Sequence, residues 1–158
     1  MYDFNLLVSY PRAMPKAAEY EIIRLLNALG DEKPIAKPTM ARGIIGVKTK
    51  LDARIVIQEL RALLSREPSA MRYALKWVPI DLWVDSDIES MREAVAKLQS
   101  RIKPGERWRM TVEKRRYTLY HTIDIINDLA QLIDKKVDLE KPDKILRVDI
   151  IGKYAGVS

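Results

Sequence analysis

Residues 105 to 128 read GERWRMTVEKRRYTLYHTIDIIND. In the first half, Trp108, Met110 and Val112 alternate with Arg107, Arg109, Thr111 and Glu113. A period of two predicts a strand with one apolar and one polar face. In the second half, Ile123, Ile126, Leu129, Ala130 and Ile133 recur at helical spacing, which predicts a helix from His121 to Lys135. Lys135 and Lys136 suit its C-terminal end, where unpaired carbonyls carry negative partial charge. Between strand and helix lies a basic, aromatic turn. Arg107, Trp108, Arg109, Lys114, Arg115, Arg116, Tyr117 and the chain's one histidine, His121, all fall within this stretch. That mixture of cations and rings can pair with phosphates and stack on bases, so RNA is the first expectation.

The charge distribution points the same way. The net charge of +6 is spread unevenly: residues 101 to 117 hold seven basic and two acidic side chains, whereas residues 81 to 100 hold two basic and five acidic. Such contrast favours a local anionic partner over mere solubility. The bland alternative for the same residues is a solvated basic face.

Composition narrows the chemistry. At 158 residues and 47% hydrophobic content, the chain can build one packed domain or two small ones. It has no cysteine, which excludes disulfides, thiolate chemistry and Cys-based zinc sites, and a lone His121 cannot form a multi-histidine site. No metal and no cofactor is expected. No apolar run approaches the length of a membrane-spanning helix, and MYDFNLLVSYPR has no charged leader followed by an apolar core. A cytoplasmic protein without a membrane partner is therefore expected.

Upstream, DFNLLVSY (3 to 10) reads as a buried strand ended by Pro11. Pro15 opens a helix over 14 to 29, striped by Ala18, Ile22, Leu25, Leu26 and Leu29 and closed by Gly30. PIAKPT (34 to 39) and GIIGVKTK (43 to 50) form a hairpin, and Asp52 caps a second helix that Pro68 stops. AMRYALKWVP (70 to 79) reads as a closing strand. The order β-α-β-β-α-β is that of a ferredoxin-like unit, two helices on one face of an antiparallel sheet. A domain boundary is expected near residues 80 to 86, which divides the chain into 1–82 and 83–158. The second unit opens on the capping box Ser86-Asp87-Ile88-Glu89, with Ile88, Met91, Val95 and Leu98 on the buried face of its helix, and ends with the strand ILRVDII (145 to 151) and a short last strand over Tyr154 to Ser158.

The segments ERWRMTVEKRRY and HTIDIINDLAQLIDKKVDLEKPDKILRVDIIG resemble a THUMP domain, a module of tRNA-modifying proteins, and the preceding unit resembles the domain that usually stands before it. The chain is most similar to stand-alone THUMP proteins of archaea and eukaryotes, related to the adaptor that assists tRNA cytidine acetylation. The fold class implied is α+β: a ferredoxin-like βαββαβ domain followed by an α/β THUMP domain. Since the chain stops soon after GKYAGVS, its last strand is expected to be clipped. The resemblance further implies a non-enzyme that binds the acceptor stem and 3′ end of tRNA while a separate modifying enzyme, an acetyltransferase, does the chemistry. The residues agree, since there is no Gly-rich phosphate loop and no dinucleotide or methyl-donor glycine pattern. The alternative is a protein-interaction adaptor for an RNA-modifying enzyme, without RNA affinity of its own.

Individual residues carry paired readings. Lys114, Arg115 and Arg116 present cations to a phosphate backbone or form a solvated loop, with a surface ion pair to Glu113 or Asp124 as a further option. Arg107 and Arg109 contact RNA or are ordinary strand exposure. Tyr117 stacks on a base or packs inside, and His121 caps the helix or touches RNA. Trp108 is assigned to the core. Arg42, Lys48, Lys50 and Lys103 are weaker RNA-binding candidates.

Overall fold

The computed structural model describes residues 1–158. It is a mixed α+β chain with two four-stranded sheets and four helices. Two units divide it: Asp3–Ile80, and Asp81–Ser158 together with Met1 and Tyr2. The division falls just before Leu82 because that residue already pairs with Val157 in the second sheet.

In the first unit the elements are β1 (Leu6–Ser9), α1 (Pro15–Ala28), β2 (Ile35–Pro38), β3 (Ile44–Lys48), α2 (Ala53–Arg66) and β4 (Lys76–Pro79). The strands run β2-β3-β1-β4, each pair antiparallel. Alternation along β1 and β3 places Leu6, Val8, Ile45 and Val47 in one core with Ala18, Ile22 and Leu26 of α1 and Val56 and Leu60 of α2. Helix α1 begins at Pro15, whose missing N–H has no intrahelical partner to lose, and is followed by Gly30 at φ +111°, a conformation that disfavours any side chain. Asp52 caps α2, accepting from the backbone N–H groups of Arg54 (2.9 Å) and Ile55 (3.1 Å).

The closing strand is shorter than its sequence suggests, and Glu21 explains why. This buried carboxylate accepts from the backbone N–H groups of Arg72 (2.7 Å), Tyr73 (2.8 Å) and Ala74 (2.7 Å). Those donors are withdrawn from any ladder, so β4 starts only at Lys76, after a 3-10 turn over residues 68 to 70 that opens on Pro68. Glu21→Gln places an amide NH₂ against these donors and is expected to cost about 2 kcal/mol, read from urea denaturation.

The second unit comprises β5 (Leu82–Asp85), α3 (Ile88–Leu98), β6 (Trp108–Arg115), α4 (Thr122–Ala130), β7 (Lys144–Ile151) and β8 (Tyr154–Val157), with strand order β5-β8-β7-β6. Only β6 and β7 pair in parallel; α4 lies in the crossover that a parallel pair requires. Trp108, Val112, Leu146, Val148, Ile150, Ala155 and Val157 form the core with Met91 and Val95 of α3 and Ile125 and Leu129 of α4. The last strand is not marginal to this sheet: β8 pairs with both β5 and β7. No helix is long and apolar enough to cross a membrane.

Residues 82 to 85, in the expected boundary region, form a strand at the sheet edge, because the apolar run Leu82-Trp83-Val84 pairs with β8. Two expectations are corrected here. The cap of α3 is Asp87, whose carboxylate accepts from the Ser90 N–H (2.8 Å); Ser86 is buried instead and donates its hydroxyl to the Gly152 carbonyl (2.8 Å). The Ser90 N–H also holds the Asp87 carboxyl below its usual range. Helix α4 ends at Ala130, not Lys135. Beyond it the chain runs beside β6, where the Trp108 N–H donates to the Lys136 carbonyl (3.0 Å) and the Asp138 N–H donates to the Trp108 carbonyl (3.0 Å).

Candidate nucleic-acid interface

Strand β6 is an edge strand, so its side chains and the turn after it are displayed at the rim of the second sheet. Its alternation separates two functions. Trp108 is 1% exposed, and its indole N–H donates to the Lys135 carbonyl (3.2 Å), as befits a core residue. On the opposite face stand Arg109 and Arg115, and Lys114 ends the core-facing row.

Most of the basic run is engaged within the molecule. Arg107 pairs with Asp138 (3.2 Å), and its backbone N–H donates to Asp143 (2.8 Å). Asp138 also accepts from the backbone N–H groups of Lys141 (3.0 Å) and Glu140 (3.1 Å), and these bonds, the Lys141 one foremost and then that from Arg107, hold its carboxyl below the ordinary range. Arg109 donates to the Leu139 carbonyl (2.9 Å). The two arginines therefore fasten the loop before β7 against β6. Arg115 approaches Asp149 (3.6 Å), a carboxylate 1% exposed that Arg147 already grips through two bonds (2.8 and 3.1 Å). Neither Glu113 nor Asp124 is the ion-pair partner of Arg115 or Arg116, since the buried carboxylate takes Arg115 and leaves Arg116 unpaired. Lys114 donates to the Tyr120 carbonyl (2.8 Å), which ties the strand end to the turn.

Lys114 and Arg115 thus lie inside the strand, and Arg116 alone begins the turn. It is exposed, makes no ion pair, and adopts φ 58°, the left-handed region that non-glycine residues rarely occupy. Of the two readings of Tyr117 the structure has the packed one: the ring is buried, and its hydroxyl donates to the Ser86 carbonyl (2.8 Å). His121 occupies the N-cap of α4 without capping it through its side chain, and its imidazole stays exposed. Lys103 is exposed in the loop before β6, where its backbone N–H donates to Glu106 (2.7 Å). Arg42, Lys48 and Lys50 belong to the first unit; Arg42 and Lys50 are exposed, and Lys48 pairs with Asp3 (2.6 Å).

The structure adds exposed apolar neighbours to this turn. Leu119 is 72% exposed, Ile123 61%, and Tyr120 is also exposed. Ile123 reads as core by spacing, yet the buried face of α4 runs through Ile125 and Leu129. A free guanidinium, an imidazole and three exposed apolar side chains thus share one turn and the first turn of α4. That surface can attract an anion and cover an unpaired ring.

Burial raises the Tyr117 phenol above its usual value of 10.0. The unfolded chain therefore loses this proton first, so the contribution of Tyr117 to stability is complete below about pH 10 and falls as pH rises past it. Tyr117→Phe leaves the Ser86 carbonyl unpaired and is expected to cost about 1 kcal/mol at neutral pH. Unfolding midpoints followed into alkali should decline more steeply for the wild type than for the Phe variant.

No family model matches this chain, and no curated protein does. Solved structures do. PH1313 from Pyrococcus horikoshii superposes with a TM-score of 0.66 at 18% identity, over 98% of this chain and 53% of that one. TrmN from Thermus thermophilus gives 0.60 at 15%, over 97% and 44%, and a 4-thiouridine synthetase crystallised with RNA and ATP gives 0.57 at 16%, over 98% and 40%. The chain spans about half the length of these proteins or less. At such identities the likeness is one of fold alone.

Proposed function

We propose that this protein is a non-catalytic tRNA-binding protein of the stand-alone THUMP type. Its first 82 residues serve as the ferredoxin-like partner domain and residues 83 to 158 as the THUMP domain. It docks on the acceptor stem and 3′ end of tRNA and assists a separate modifying enzyme, an acetyltransferase acting on a tRNA cytidine. The observation that carries this reading is the turn after β6, where Arg116 and His121 stand unpaired beside Leu119 and Tyr120. The shared fold with a synthetase crystallised in complex with RNA supports it.

The internal partners of the cations support a division of labour. Arg107, Arg109 and Arg115 shape the surface through their internal partners and add to its positive field, while Arg116, His121 and Lys114 supply direct contacts. A-form RNA hides its base edges in a deep groove, so so few contacts suit stem shape and an unpaired end rather than an internal sequence. Titrating the full chain with tRNA at increasing salt tests this. Saturable binding that weakens steeply with salt is the expected result, because each neutralised phosphate releases counterions. Absence of saturable binding would leave the protein-adaptor alternative in its place.

A further inference from the structure

Helix α2 and the edge of the first unit's sheet enclose a groove of about 310 Å³. Ile57, Leu60 and Leu64 line it from α2, at the three- and four-residue spacing that forms a single stripe. Met71, Leu75 and Trp77 face them from the segment leading into β4 and from β4 itself. Leu75 is 63% exposed, and the indole N–H of Trp77 is buried without a hydrogen-bond partner. The charges on the groove are both positive, Arg61 and Lys76, and neither is in an ion pair. Apolar walls with two cations free of ion pairs at the rim offer a partner both contact and charge complementarity.

We infer that this groove receives an acidic amphipathic helix from another protein. The chemistry selects that occupant. A nucleobase would bring several polar edge atoms into a trough that offers one donor, the Trp77 N–H, and would leave the others desolvated and unpaired. An apolar ridge loses nothing there, and Asp or Glu beside the ridge meets Arg61 and Lys76. Helix-in-groove recognition has this form, apolar anchors at helical spacing with charges at the rim, and Met71 adds an adaptable wall. A second copy of the chain does not supply the ridge. The apolar side chains Met91, Ala94, Val95 and Leu98 of α3, in the acidic stretch, are buried, and the other helices each expose a single large apolar side chain, Tyr20 on α1, Ile55 on α2 and Ile123 on α4, not a row at three- and four-residue spacing. The groove lies wholly in the first unit, so this inference stands apart from the RNA reading of the second.

The test uses the full chain carrying the photo-cross-linker benzoylphenylalanine at position 75, irradiated in an extract of the source cells. The expected adduct resists ribonuclease, and mass spectrometry maps it to a segment of another protein with Asp or Glu and apolar residues three and four apart. A synthetic peptide of that segment should then bind the wild-type chain, and either Leu75→Asp or Arg61→Glu should weaken it at least about tenfold. Both side chains are at the surface, and an unchanged unfolding transition verifies each variant. A ribonuclease-sensitive adduct, an adduct to a second copy, a mapped segment without the pattern, a peptide indifferent to both substitutions, or no adduct overturns the inference. Loss of tRNA binding by the wild type would overturn the RNA reading and leave these outcomes readable.

Discussion

With Lys114 replaced by Ala and Arg116 by Glu, the full chain is expected to bind tRNA about ten- to a hundredfold more weakly at moderate salt, with its unfolding transition nearly unmoved. Arg116 makes no ion pair, so its removal orphans nothing inside the protein, and reversal of its charge adds repulsion to the lost attraction. Lys114 gives up one bond to an exposed turn carbonyl. The logarithmic dependence of affinity on salt should flatten by about one to two, since each lost phosphate contact removes somewhat less than one unit of slope. The informative comparison is Arg107→Ala with Arg109→Ala. Those side chains hold Asp138 and the Leu139 carbonyl, so their loss should loosen the loop before β7 more than it lowers affinity. Equal affinity and equal slope for the wild type and the Lys114/Arg116 variant would sink the assignment.

Asp149→Ala is expected to destabilise the protein by about 3 to 5 kcal/mol, enough to threaten folding of the second unit. The carboxylate is buried on β7 and accepts two bonds from Arg147, itself largely buried, while Arg115 stands 3.6 Å away on the adjacent strand. Removing the anion leaves two guanidinium groups close together with little solvent to screen them. Arg115→Ala should cost far less, about 1 kcal/mol, because the bond pair between Arg147 and Asp149 survives. Urea denaturation of the two variants separates these values. A loss below about 1 kcal/mol for Asp149→Ala would show that the buried pair with Arg147 contributes little to the stability of the second unit.

Much of this architecture was legible in the sequence, for identifiable reasons. The apolar period of two in Trp108, Met110 and Val112 and the stripe through Ile22 and Leu26 depend on faces that must be buried whatever surrounds them. Pro15, Gly30 and Asp52 announced their roles through local backbone chemistry. What escaped depends on partners distant in sequence. Nothing near Arg72 reveals that Glu21, fifty-one residues earlier, takes its N–H, and so the pattern over residues 70 to 79 suggests a longer strand than forms. Ser86 and Asp87 are both competent caps, and only the Gly152 carbonyl, sixty-six residues away, decides between them. The candidate site suffered most from the same limit. A run of cations looks uniform in one dimension, yet Asp138, Leu139 and Asp149 claim Arg107, Arg109 and Arg115 from across the sheet, and Tyr117 turns inward to Ser86.

The left-handed backbone at Arg116 sets two kinds of selection against each other. A non-glycine residue there carries strain of about 1 kcal/mol, which glycine would relieve. Screening variants for heat resistance alone should therefore enrich Arg116→Gly, yielding a hardier protein stripped of its free guanidinium. Retention of arginine under screening for tRNA binding, in the same library, would measure how much stability is forgone to keep one charge at the tip of the turn.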